Sequence, residues 1–377
     1  MANPVSAFWF DSTMNGAPVL TGEIGKRIGV IDACLLSGFG SKTLSSLTVA
    51  GGIATGVVSA GHQFSDQIVG LVEGASTSAL NGKKRITVVN STTFTFDATG
   101  VADQTATGTI TTKVSPVTGW EKTYSGINKA AYRSTVIASR LHLLRVDDTA
   151  ANYARVVAYE TMSDVDTGSG PFPTAAQISG GGYWFGSDAA SSATRQWALY
   201  ADDTMFILVM YVNSAGTNPC ANAFGDVISD HAGDSYNTIL TFGVNTTAAN
   251  SGYLHALNST TGLVLARAYT QTGSAIQPIF YSNGRLSGGI GYVASGTAPN
   301  PGNNWLYISP ITVFESTTIV RGSLPGLFAI VGMASSLTDL SIRNDIAGYP
   351  GRCFRVQKMT SGGVPYGGLI DITGPWR

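Results

Sequence analysis

Residues 46–76 read SLTVAGGIATGVVSAGHQFSDQIVGLVEGAS, and residues 79–97 read ALNGKKRITVVNSTTFTFD. Short runs rich in Val, Ile, Thr and Phe alternate with Gly, Asn and Ser, the pattern of brief strands joined by tight turns. The runs at 47–49, 53–59, 67–71, 85–89, 93–96 and 107–112 each suit one strand. Gly51-Gly52, Ala60-Gly61 and Asn81-Gly82 supply the positive-φ residues that such turns need. Six strands within residues 46–114 predict a small closed or nearly closed β-barrel, which also limits exposed sheet edges.

Working outward, residues 1–45 form an N-terminal segment with the chain's best helix candidate. Ile24, Ile28, Ile31 and Leu35 recur at helical spacing, broadened by Val30 and Cys34. Thr21 suits the N-cap, Glu23 the first turn and Gly38 the C-terminal stop. Phe8-Trp9-Phe10 is an aromatic cluster that either packs on its own domain or docks on a neighbouring subunit.

On the other side, residues 114–116 read as a linker. Strand candidates then recur at 141–146, 154–160, 205–212, 238–242, 263–269, 306–308, 328–331 and 353–357. Long Gly/Ser/Asn/Pro stretches separate them, at 164–173, 179–182, 213–219 and 295–304. Irregular spacing without an internal repeat predicts a β-sandwich-like domain over residues 117–377. The fold class is therefore all-β: a small β-barrel module, then a sandwich-like domain, with one short N-terminal helix. Long loops in such a domain are natural contact sites.

The chain has 377 residues, 44% of them apolar and only 12% charged, about half the usual charged share of roughly 25%. A surface made polar by hydroxyls and amides needs little desolvation to pack against other protein. The formal net charge is −1 and no basic stripe is visible, which argues against nucleic-acid binding. The longest basic run, Lys83-Lys84-Arg85, reads as a solvated strand start. Cys34, Cys220 and Cys353 are widely spaced without a C-x-x-C pair, so neither a zinc site nor a redox motif is expected. No secretory signal is recognisable at the N-terminus, and no run is long enough for a transmembrane segment.

Catalytic signatures are sparse. There is no G-x-S-x-G elbow, P-loop, dinucleotide fingerprint or H-E-x-x-H helix. His62, His142, His231 and His255 stand in unrelated contexts, and His62 falls at a turn. Asp147-Asp148, Asp164 with Asp166, and Asp202-Asp203 place carboxylates near strand ends. A glycosidase would need two of them across a groove, whereas Asp before Thr or Gly is ordinary turn chemistry. Asp226, Asp230, His231 and Asp234 form the densest cluster of metal-capable side chains, at a spacing that matches neither an EF-hand nor a zinc motif. Neither a catalytic residue nor a cofactor or metal site is expected.

Several stretches resemble virion proteins of tailed bacteriophages. Gly61-His62-Gln63-Phe64, Ala79-Leu80-Asn81-Gly82 and Thr92-Thr93-Phe94-Thr95-Phe96 are similar to a small β module found there. That module is named after the first catalytic cysteine half-domain of ubiquitin-activating enzymes. Ala17-Pro18-Val19-Leu20, residues 31–35 and residues 38–40 resemble the N-terminus of such phage proteins. Phe224-Gly225-Asp226 with Gly233-Asp234-Ser235-Tyr236, residues 321–327 and residues 351–354 resemble their later parts. No cysteine lies between residues 46 and 114, so thioester chemistry is not implied.

The resemblance implies a structural subunit of the virion, in the tail or tail tip/baseplate, made in the bacterial host cytoplasm. Its implied partners are other virion proteins and copies of itself, through the N-terminal aromatic segment and the long loops. Alternatives are a capsid decoration protein, or a tail protein that binds host cell-surface glycan, with or without hydrolysis. The glycan reading would need a groove lined by aromatics such as Trp184, Trp197 or Trp305. A homo-oligomer following the particle's symmetry is expected, and the lack of long heptads argues against a fibre shaft.

Overall fold

A computed structural model describes residues 5–137, 139–244, 262–282, 285–286, 306–331, 337–361 and 364–377. The chain is all-β, as the sequence predicts, with one short α-helix among the described residues. The described strands form five antiparallel sheets.

Met205–Tyr211 reads MFILVMY and is buried along its whole length, as is Pro219–Asp226 beside it. A strand without polar alternation has to be covered on both faces. These two strands lie in the middle of a central sheet ordered Phe8–Asp11, Trp197–Ala201, Met205–Tyr211, Pro219–Asp226, Thr238–Thr241, Leu263–Leu265. One face meets an outer sheet, where Trp120 and Trp184 pack edge-on against Phe206 at 5.2 and 6.0 Å between ring centroids. The other face meets a C-terminal sheet, from which Leu324 and Leu327 reach Ile207 and Ala223. The sandwich-like packing thus extends to a third layer.

The outer sheet runs Trp120–Gly126, Lys129–Ser134, Leu143–Asp147, Tyr153–Met162, Gly168–Phe172, with Gly182–Phe185 also on Tyr153–Met162. The C-terminal sheet is built around the long hairpin Tyr307–Ser316 and Ile319–Val331, followed by Val364–Asp371 and Phe354–Ser361.

The module is strand-rich as expected, but it holds more and shorter strands than the six read from the sequence, and they do not close into one hydrogen-bonded barrel. They form a four-stranded sheet (Phe39–Thr43, Thr111–Val114, Val69–Glu73, Gly82–Arg85) and a five-stranded one (Thr87–Val88, Thr93–Asp97, Ile53–Val57, Ser46–Ala50, Gln104–Thr105). The chain crosses between them at two corners. At the first, Leu44 N–H donates to Ile110 O and Ser45 N–H to Val57 O, at 2.9 and 2.7 Å. At the second, Ile86 separates Gly82–Arg85 from Thr87–Val88. Turning at the corners lets the two ladders share one core that includes Leu47, Ala54, Ile68, Val72, Ile86 and Phe94. Gly56 is needed there, because a Cβ would sit 2.5 Å from the Phe94 ring.

Residues 1–45 distribute over both parts. Phe8–Asp11 is an edge strand of the central sheet, while Phe39–Thr43 pairs with Thr111–Val114 in the module. The expected helix runs Lys26–Asp32 and continues as a π-turn through Ala33–Ser37, burying Val30, Ile31, Cys34 and Leu35. Its start differs from expectation. Ile24 precedes the helix and is exposed, Gly25 holds the N-cap position at φ 78°, and the Thr21 hydroxyl donates to Glu23. The orphan N–H groups of Arg27 and Ile28 donate instead to the Asp148 carboxylate, at 2.9 and 3.3 Å.

Candidate functional site

The three acidic pairs occupy separate structural roles. Asp147 accepts from the Thr149 hydroxyl at 2.6 Å and from Arg145 at 2.9 Å. Asp148 points the other way, into the core, where it pairs with the fully buried Arg27. Burial pushes the Asp148 carboxyl above its ordinary range, and the Arg27 guanidinium pulls it back. Asp164 accepts from Asp166 N–H at 2.8 Å, and Asp166 binds Lys129 and Arg145. Asp147 and Asp166 therefore meet, but across the shared cation Arg145 rather than across a groove.

Asp202 closes a turn, accepting from Thr204 and Met205 N–H at 2.9 and 2.7 Å, and it binds Arg377 at 2.9 Å. Burial, then the charge of Asp202, raise the Asp203 carboxyl. A carboxylic acid catalyst needs a raised pKa and a partner across a cleft. Asp164 and Asp166 are held below the usual range, by Asp166 N–H and by Lys129 respectively.

The cluster at residues 226–236 does not converge either. Asp226 accepts the Thr238 hydroxyl at 2.6 Å, and that hydroxyl oxygen lies 2.7 Å from His142 Nδ1. Because the threonine proton goes to Asp226, the neutral imidazole must donate through Nδ1. His231 Nε2 contacts Val320 O at 2.8 Å, and its ring stacks on Tyr269 at 4.9 Å. Asp234 grips Arg321 through both oxygens while Glu315 takes the guanidinium's other side. Burial opposes ionisation of Asp234, but Arg321, Ser229 and Tyr236 N–H outweigh it and hold the carboxyl low. Among the described residues no group of three metal-capable side chains converges. Sequence reading missed Arg321, whose only signal is an arginine inside an otherwise apolar and small-residue strand.

Two of the three aromatics named for a glycan groove, Trp184 and Trp197, are core residues. Trp184 and Trp197 are buried, and their indole N–H groups donate to Thr241 O and Pro18 O at 2.6 and 2.9 Å. Trp305 and His255 lie outside the described residues. His62 is buried at its turn, with Nε2 2.7 Å from Asn90 O and Nδ1 accepting Phe64 N–H. Cys34 is buried, and that burial drives its thiol pKa well up, which makes it inert. Docking through Phe8-Trp9-Phe10 is also corrected, since all three are 3% exposed or less in the central sheet.

The basic run departs most from its reading as a solvated strand start. Lys83, Lys84 and Arg85 are half-buried along a groove of about 460 Å³, with Val5, Ile53, Thr95 and Phe96 opposite. Lys83 Nζ donates to Pro116 O at 2.6 Å and Thr118 Oγ1 at 2.7 Å, and sits 4.8 Å from the Phe8 ring. Lys84 Nζ donates to Ala79 O at 2.7 Å above Phe96. Arg85 donates to the carbonyls of Gln67, Ala7 and Thr373. Desolvation lowers all three, Lys83 to about 8 and Arg85 to about 10.

No protein-family model and no curated protein matches the chain.

Proposed function

We propose that the chain is a structural subunit of a tailed-bacteriophage virion, in the tail or tail tip/baseplate, that acts by protein–protein assembly and not by catalysis. The resemblance of residues 61–64, 79–82, 92–96 and 321–327 to phage virion proteins supports the particle. The observation that carries the structural role is the use made of the charged groups. Candidate acids that would have to face a substrate are instead struts: Asp148 with Arg27, Asp234 with Arg321, Asp166 with Lys129 and Arg145. Assembly contacts fall to the loops, since the N-terminal aromatics are already buried. Ile127, at the tip of the hairpin joining Trp120–Gly126 to Lys129–Ser134, is 89% exposed, and Ile137 is 98% exposed. Such apolar tips on a low-charge surface suit burial against a neighbour.

Mass spectrometry of purified particles, with antibody labelling in electron micrographs, tests this reading. The expected result is the protein in particles with label at the tail. Label on the head would replace the tail with capsid decoration. Protein found only in the lysate, never on particles, would overturn the proposal.

A further inference from the structure

The groove beside Lys83, Lys84 and Arg85 gathers three cations whose charged ends meet carbonyls, a hydroxyl and aromatic rings rather than carboxylates. Arg27, Arg145, Arg321 and Arg355 each face a carboxylate. Among the described residues, none of the three groove cations has a carboxylate within 4.0 Å. Backbone carbonyls fix where the cations sit, and the carboxylates that act on them, Asp97 on Lys84 and Asp371 on Arg85, do so only from beyond ion-pair distance. Asp97 is the acidic residue lining the groove, and its carboxylate is already turned to the N–H and hydroxyl of Thr99, at 2.9 and 2.6 Å.

Holding three half-buried cations together with no carboxylate in ion-pair contact is unfavourable, and an anion bound in the groove would relieve that cost. From this geometry we infer that the groove binds an oxyanion-bearing ligand, either the carboxylate of an acidic saccharide or a phosphate group. Lys84 Nζ has donors to spare beyond its one carbonyl bond. Phe96 and Ile53 supply an apolar wall, and Thr87 and Thr95 supply hydroxyls. The volume of about 460 Å³ exceeds one phosphate and falls within the range of small-ligand clefts. The inference is independent of the virion role, which particle labelling tests separately.

Calorimetric titration of the full chain at low ionic strength, with inorganic pyrophosphate in one arm and digalacturonate in the other, tests it. At least one probe is expected to bind saturably at one site per chain. Lys84→Gln should weaken that binding by about tenfold, the scale of one charge-assisted hydrogen bond. Asp97→Asn, on an exposed side chain where folding is not at issue, should tighten it. Binding of pyrophosphate alone identifies a phosphate site, and binding of digalacturonate identifies a saccharide site. No binding of either probe, or binding unchanged in both variants, would overturn the inference.

Discussion

Asp11 and Arg355 stand 344 residues apart in the chain and form one buried ion pair. Asp11 ends the first strand of the central sheet, and Arg355 lies in the C-terminal sheet, so the pair ties two layers together. The guanidinium also lies 4.2 Å from the Trp9 ring and donates to Leu340 O. Removing one partner leaves an uncompensated buried charge, so Asp11→Ala should cost about 3–5 kcal/mol. Replacing both, by Asp11→Leu with Arg355→Met, should recover much of that loss but not the turn in which Asp11 accepts from Thr13 at 2.8 Å. Urea denaturation of the two variants checks this. Equal losses in single and double variants would refute the ion-pair account.

His142 gives the protein an acid-sensitive joint. Burial lowers its folded pKa below the ordinary 6.5, and the Thr238–Asp226 chain fixes the neutral ring. Below pH 6.5 the unfolded chain therefore binds a proton that the folded one resists. The stability held above 6.5 should fall as the pH drops toward the folded value. His142→Gln should be less stable at pH 7.5 yet flatter between pH 7 and 5. Melting temperatures across that range decide the matter, and parallel curves for both proteins would rule it out.

Asp148 both caps the helix and neutralises Arg27. Asp148→Asn keeps an acceptor for the helix N–H groups but loses the charge, whereas Asp148→Ala loses both. The alanine variant should be less stable than the asparagine one by about 1 kcal/mol, the usual worth of a cap. Equal midpoints in urea would show that the cap contributes nothing.

These contacts also explain where sequence reading stopped. Turn chemistry is local, so the module strands between Gly51-Gly52 and Asn81-Gly82 were legible. The corners at Leu44–Ser45 and Ile86 depend on pairing with Ile110 and Ile68, which no local pattern encodes. Trp120–Gly126 and Lys129–Ser134 went unread because Glu121, Lys122, Lys129 and Arg133 mask their alternation. The helix stripe was legible, but its cap comes from 121 residues away. Likewise, the turn roles of Asp147, Asp164 and Asp202 lie within three residues, while the partners of Asp148 and Asp234 are distant. The basic groove was hidden because burial of Lys83 depends on Phe8 and Pro116 folding over it.

The Gly322–Gly326 stretch of the C-terminal sheet makes a steric prediction. Gly326 has φ +69°, and a Cβ there would sit 2.2 Å from the Trp376 indole. Trp376 is buried and donates to Asp371 O at 2.8 Å, so it cannot swing away freely. Gly348 has a similar φ of +83° with nothing within 4 Å of its would-be Cβ. Gly348→Ala should cost only the left-handed backbone penalty, about 1–2 kcal/mol. Gly326→Ala adds displacement of a packed indole and should cost roughly 1–3 kcal/mol more, the scale of overpacking a filled core. The difference between the two isolates the steric part from the backbone part. Denaturation midpoints for the pair, read with Trp376→Phe in both backgrounds, provide the check. If the smaller ring leaves the Gly326→Ala loss unchanged, the clash with Trp376 is not its cause.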